Sequence, residues 1–172
     1  READCIEHIE QAVRQGQCVA WIRNSVDDAI RIYRQLLARG AIPAENLSLF
    51  HSRFAFYDRQ RIELETLTRF GKGEGAQRAG KVLIATQVIE QSLDIDMDVM
   101  ISDLAPIDLL IQRAGRLQRH IRDGRGQIKE RGREERDAPV LRVLAPEWCD
   151  EPREDWLSSA LRNSAYVYPD HG

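Results

Sequence analysis

No apolar run in this sequence approaches the roughly 20 residues that a membrane-spanning helix needs. The opening READCIEHIE lacks the basic stretch and apolar segment of a secretory signal, so we expect a soluble, intracellular protein with no membrane partner. Cysteine is sparse: Cys5, Cys18 and Cys149 are odd in number and far apart, with no CxxC or Cys/His spacing, which argues against a disulfide framework and a zinc site. Lysine is nearly absent, with only Lys72, Lys81 and Lys129 among 25 basic residues. The rest are arginine, whose planar fork suits bidentate contact with phosphate, although a general preference for arginine codons explains the bias equally well. The first residue is Arg1 instead of Met, which leads us to expect a piece of a longer chain with any catalytic partner domain elsewhere.

The 172 residues, 42% hydrophobic and 31% charged, suffice for one core and fall short of two. The net charge of −3 conceals an asymmetry. Between Gln112 and Arg136, basic residues far outnumber Asp123, Glu130, Glu134 and Glu135, so the remainder of the chain is strongly acidic.

Along the chain, buried-strand patterns alternate with amphipathic helices. Glu2 to Gln15 reads as a helix with Cys5, Ile6, Ile9, Ala12 and Val13 on one face, stopped by Gly16. The apolar runs CVAWI (18–22), LSLF (47–50), KVLIAT (81–86), VMISD (99–103) and PVLRVLA (139–145) read as strands buried on both faces. A helix from Val26 to Arg39 is capped by Asn24 or Ser25 and closed by Gly40, with a stripe of Val26, Ala29, Ile30, Tyr33, Leu36 and Leu37. Further helices are expected over about 57–70, 106–119 and 155–167. This alternation predicts an α/β fold with a parallel sheet flanked by helices and ligands at the strands' carboxyl ends. We divide the chain into an N-terminal helix (1–16), the sheet domain (17–145) and an extension or linker start (146–172). Residues 121–138, rich in arginine and glutamate, read as a mobile insertion.

Two segments carry chemistry. In Gln112-Arg113-Ala114-Gly115-Arg116-Leu117-Gln118-Arg119, a helix puts Gln112, Gly115, Arg116 and Arg119 on one polar stripe. Ile107, Leu110, Ile111, Ala114 and Leu117 then face the sheet. A solvated basic helix accounts for the arginines but not for a glycine among them, which costs about 1 kcal/mol of helix propensity. In the second segment, Lys81 to Asp103, a strand ends at Thr86 and Gln87 before Glu90, Gln91, Ser92, Asp94, Asp96 and Asp98. Those acids fit either a metal site or, as the favoured reading, a solvated turn. The stretch from Gly75 to Lys81 satisfies GxxxxGK but is followed by Val82 in place of Ser or Thr and precedes a strand, so it is not a phosphate loop.

QRAGRLQR resembles the sixth motif of superfamily 2 helicases, Gln-x-x-Gly-Arg-x-x-Arg. That resemblance implies a RecA-like fold, the second of two such domains closing over ATP. It gives Arg116 and Arg119 a catalytic role at the γ-phosphate and places Gln112, Gly115 and Asp94 against the nucleotide. ATQVIEQSLDID, with SDLAPIDLLIQRAGRLQRH, HSRFAFYDRQRIE and WIRNSVDDAIRIYRQL, looks like the CRISPR-associated helicase-nuclease family of type I systems, over about Gln17 to His120. Gln118 stands where that family has histidine. The resemblance implies a cytoplasmic prokaryotic protein acting on single-stranded DNA, contacted by Asn24, Ser25, His51, Ser52, Arg53, Thr86 and Gln87. A packed or solvated loop histidine remains an alternative for His51. It also implies ATP and Mg2+, bound mainly by a first RecA-like domain, with no cofactor expected in this chain alone, and a CRISPR surveillance complex as partner. A nuclease domain would lie elsewhere, because His8, His51, His120 and His171 form no His-Asp dipeptide. The alternatives are a RecA-like domain of another superfamily 2 helicase and a non-catalytic interaction module.

Overall fold

The computed structural model describes residues 1–73, 78–90, 93–147, 150–151 and 153–168. Gln91, Ser92, Cys149, His171 and the first three residues of the GxxxxGK stretch (75–77) lie outside the described residues. Five strands, β1 (Val19–Ile22), β2 (Leu47–Phe50), β3 (Val82–Ala85), β4 (Val99–Asp103) and β5 (Val140–Leu144), form one parallel sheet in the order β2-β3-β1-β4-β5. The central β1, β3 and β4 are buried along their whole length, which is why each is an unbroken apolar run. Strand β5 is an edge, with both Val140 and Val143 exposed.

Alternate residues feed two cores. On one face, Val19 and Trp21 of β1 join Ile84 and Ile101 against Ile6, Ile9 and Ala12 of helix α1 (Glu2–Arg14) and Ala29, Ile32 and Leu36 of α2 (Val26–Arg39). On the other, Ala20, Ile22, Leu83, Ala85 and Met100 pack with Phe70 of α3 (Phe56–Phe70) and with Leu93, Ile95 and Met97 of the following loop. The molecule is thus a helix–sheet–helix sandwich. No helix among the described residues is long and apolar enough to cross a membrane.

Helix α2 has the expected bounds. Ser25, not Asn24, caps it by accepting a hydrogen bond from Asp28 N at 3.1 Å, and Gly40 closes it at φ 63°. Its buried stripe is Ala29, Ile32 and Leu36; Ile30 is half-buried and Leu37 exposed, because the sheet covers a narrower arc than the apolar pattern spans. At the end of α3 the chain turns so tightly that a Cβ on Gly71 would lie 2.4 Å from Leu67 O, which only glycine tolerates.

Three expectations fail after β4. The helix α4 runs only Ile107–Ala114. Beyond it, Met97 N donates to Arg116 O and Gln118 N to Met97 O, both at 2.9 Å, so the chain is pulled into an extended bridge, with Gln118 at φ 44°. Arg116 and Arg119 therefore sit on a stitched turn and not on a helical stripe. The buried face of α4 is also different: Ile107 and Ile111 are 71% and 65% exposed, while Arg113 is enclosed. The single helix expected over 155–167 is two short ones, α5 (Trp156–Ala160) and α6 (Arg162–Val167), broken at Leu161.

Candidate functional site

Parallel strands end together, so the residues following β1, β3 and β4 converge at one edge of the sheet. Three polar residues there, Asn24, Ser102 and Asp103, are buried, and buried polar groups need partners. Arg113 meets all three, donating to Ser102 Oγ at 2.8 Å, Asn24 Oδ1 at 3.3 Å and Asp103 O at 3.3 Å, and is itself balanced by Glu90 Oε1 at 2.8 Å. This is the physical reason an arginine, and not Ile107 or Ile111, faces the sheet from α4. Arg23 lies 3.0 Å from the Asp103 carboxylate and covers the Trp21 ring at 4.9 Å. Burial pushes the Asp103 carboxyl above its usual range, against the pull of Arg23.

At this edge the side chains of two residues expected to meet the DNA strand, Asn24 and Ser25, bond within the domain. Asn24 is buried and donates to Leu104 O at 2.7 Å and Ser164 Oγ at 3.0 Å; the Ser25 hydroxyl serves α2. Gln87 also turns inward, donating to Asn24 O at 2.9 Å and toward Tyr168. Thr86 is buried just beyond β3, its N–H donating to Phe50 O. In the next loop, His51 is buried, accepts from Arg53 N at 3.2 Å and stacks on Phe54 at 4.1 Å. Burial lowers its pKa, and the charge of Arg53 lowers it further. Ser52 and Arg53 are exposed, with Arg53 paired to Asp27.

The arginine turn gathers Asp94 as well. Arg119 Nε lies 2.8 Å and His120 Nε2 3.0 Å from Asp94 Oδ1, and Arg116 donates to Glu90 O at 3.2 Å. Burial, together with the like charge of Arg119, lowers the Arg116 pKa, and its Nε is buried with no partner among the described residues. Gln112 and Gly115 are exposed beside it, and a Cβ on Gly115 would meet nothing closer than 3.4 Å. Nothing among the described residues requires glycine there.

Among the described residues the acids before β4 form no cluster that could hold a metal ion; Asp94 is half-exposed, while Asp96 and Asp98 are counter-ions to arginines. Asp96 is fully buried, 2.5 Å from Arg122 Nε and 3.3 Å from Arg136, while Asp98 holds Arg136 at 2.8 Å and accepts from Cys18 N at 2.7 Å. The segment 121–138, expected to be mobile, is joined to the domain through these contacts. Burial pushes the neighbouring Cys18 thiol up to about 12, consistent with an inert thiol. Lys81 sits at the opposite, amino-terminal end of the sheet on Asn46 Oδ1 at 2.6 Å, away from any phosphate-loop geometry. Arg113 and His120 carry no role in the sequence reading, and Glu90 only that of one acid among several. His120 directly follows the arginine motif, and its proximity to Arg119 is the available signal.

A five-stranded parallel sheet flanked by helices, with an arginine turn beyond its fourth strand, defines a RecA-like helicase domain. Comparison with known proteins gives the particular family: the profile described as "CRISPR-associated nuclease/helicase Cas3, C-terminal" matches residues 15–122, and the chain belongs to that family. It is 37% identical over 157 residues to the CRISPR-associated endonuclease/helicase Cas3 of Escherichia coli K12, covering 91% of this chain and 17% of that protein. The crystal structure of T. fusca Cas3-ATP superposes with a TM-score of 0.78 at 38% identity, over 99% of this chain and 18% of that one. A chain of a CRISPR RNA-guided surveillance complex in a pre-nicking state gives a TM-score of 0.72 at 36% identity, over 98% and 19%. The chain thus spans under a fifth of the length of these relatives.

Proposed function

We propose that this chain is the second RecA-like half of an ATP-driven single-stranded DNA translocase within a CRISPR helicase-nuclease. The observation that carries the reading is the arginine turn. Arg116 and Arg119 project from one stitched turn, Arg119 on a half-exposed carboxylate and Arg116 with an unpaired Nε. Both can exchange these contacts for phosphate oxygens, where a guanidinium fork stabilises the charge that phosphoryl transfer spreads. ATP and Mg2+ are held mainly by a first RecA-like domain, with Gln112, Gly115 and Asp94 completing the nucleotide face from this side. Ser52 and Arg53 contact the DNA backbone; Asn24, Ser25, Thr86, Gln87 and His51 shape that surface from within. The remaining partners are the nuclease domain of the same protein and a surveillance complex, as the names of the relatives suggest.

The chain alone is expected to hydrolyse no ATP. In the intact protein, Arg116→Lys and Arg119→Lys should each lower DNA-stimulated ATP turnover by about 10³-fold or more, the scale of a lost arginine finger. Lysine does not rescue, since a point charge cannot span two oxygens. Near-normal turnover in both variants, or a loss that follows a collapse in melting temperature, would overturn the reading.

A further inference from the structure

Two large aromatic side chains stand in solvent at the start of α3: Phe56 is 69% and Tyr57 84% exposed. Folding leaves such rings in water only where nothing in the domain covers them, and an isolated exposed aromatic needs no explanation. A pair does. Their centroids are 5.8 Å apart with planes at 78°, an edge-to-face contact that covers at most one side of one ring and leaves each ring a π face toward solvent. Their backbone is rigid, being the first turn of a 15-residue helix. The loop leading into them is also fixed, by the stack of Phe54 on His51 and the hydrogen bond from Arg53 N to His51 Nδ1.

We propose that Phe56 and Tyr57 form a platform on which unpaired bases of the DNA single strand stack while Ser52 and Arg53 hold its phosphates. This rests on the single-strand reading of the loop. The neighbourhood selects bases over a protein partner. Charged Arg53, Asp58, Arg59 and Arg61 surround the rings in sequence, whereas the centre of a protein interface is depleted of charge. Arg53 and Phe56 are three residues apart, at most about 11 Å of chain, the rise of about three nucleotides at 3.4 Å each. One short segment can therefore touch backbone and bases of the same stretch. Stacking on a ring face is tolerant of sequence, as a translocase on arbitrary DNA requires, because every base has such a face.

The test measures binding of an oligo-dT probe, and of the same probe with abasic sites, to the intact protein. Phe56→Ala and Tyr57→Ala should each weaken oligo-dT binding by about 5- to 100-fold, the range of one lost base stack. Tyr57→Phe should bind as the wild type does. The wild type should prefer oligo-dT to the abasic probe, and the double alanine variant should lose that preference. The slope of log affinity against log salt should be unchanged by these variants, since stacking releases no counter-ions. Arg53→Ala, by contrast, should flatten it by about 0.7, one phosphate contact. If Arg53→Ala flattens the slope while the ring variants bind as the wild type, the platform is wrong and the single-strand reading stands. If Arg53→Ala is also without effect, the reading of the loop fails with it. A fall in melting temperature without change in DNA affinity would assign the rings to packing against another protein segment and overturn the proposal.

Discussion

Asp94 and Asp96 stand two residues apart on the loop before β4, and each holds arginine from the segment that follows α4. Asp96 is fully buried between Arg122 and Arg136, also buried, whereas the Arg119–Asp94 pair is 42% and 48% exposed. Burial separates their consequences. A charge removed from water is costly unless paired, so the Asp96 cluster holds together only as a whole. The Asp94 pair stays in high dielectric and contributes little to folding, which leaves Arg119 able to change partners. Identical chemistry on one loop thus makes a fastening at one point and a releasable contact at the other.

The comparison is broken most severely at Asp96. Asp96→Ala leaves Arg122 and Arg136 without their shared carboxylate, and a destabilisation of about 3–5 kcal/mol is expected. Because Arg122 also donates to Gly71 O, Gly73 O and Gly126 O, the loss should loosen 121–138 and the end of α3 together. Hydrogen exchange across these segments, with a denaturation curve, measures both. Unchanged protection would mean that the clasp is ornamental and that the segment is held by other contacts.

A second test uses acid on the same clasp. For Glu134, burial alone would raise the carboxyl pKa, but Arg136 and the backbone N–H groups of Arg136 and Arg122 outweigh it and hold it at about 2, against an ordinary 4.5. A group whose pKa is depressed by folding stabilises the native state fully above its unfolded value and loses that contribution as pH falls toward the folded one. The stability difference between wild type and Glu134→Gln should therefore be largest above about pH 4.5 and shrink between about pH 4.5 and 2. Other carboxylates are common to both proteins and cancel. A difference that is flat across this window would show that the Arg136–Glu134 contact adds nothing to stability.

Much of this was legible in advance, for physical reasons that also mark the limit. The strands read true because a buried strand must be apolar on both faces, and α2 because Ser25 and Gly40 perform capping chemistry that depends only on neighbours in sequence. The arginine turn was misread as helix because what ends α4 is Met97, far away in the chain, which pairs with Arg116 and Gln118. Periodicity cannot register a partner that it does not contain. Arg113 escapes the periodicity for the same reason: its burial answers the needs of Asn24, beyond β1, and of Ser102 and Asp103 on β4. The acids of 90–98 could be recognised as charged, but which arginine each one meets is decided by tertiary pairing, such as Asp96 with Arg122. Asn24 and Ser25 matched a family pattern by position, while their side chains turned out to be bonded within the domain.

The smallest effect on folding is expected at the other member of the comparison. Asp94→Ala removes a partner from Arg119 and His120, but all three are reached by water, so solvent replaces what is lost and stability should change by less than about 1 kcal/mol. The same substitution should not be silent in function if Asp94 faces the nucleotide. Loss of one hydrogen bond to a charged group is worth about 1.5–3 kcal/mol, so DNA-stimulated turnover or nucleotide affinity should fall by roughly 10- to 100-fold in the intact protein. Asp94→Asn keeps the shape and removes the charge. If the carboxylate acts by orienting Arg119, Asn should behave like Ala in turnover while leaving nucleotide affinity closer to wild type; if it acts by direct contact with nucleotide hydroxyls, Asn should retain part of both. Melting temperature, turnover and nucleotide affinity measured on Asp94→Ala, Asp94→Asn and Asp96→Ala together decide the matter. A large stability loss at Asp94, or a purely functional effect at Asp96, would reverse the assignment of the two carboxylates and with it the claim that burial distinguishes them.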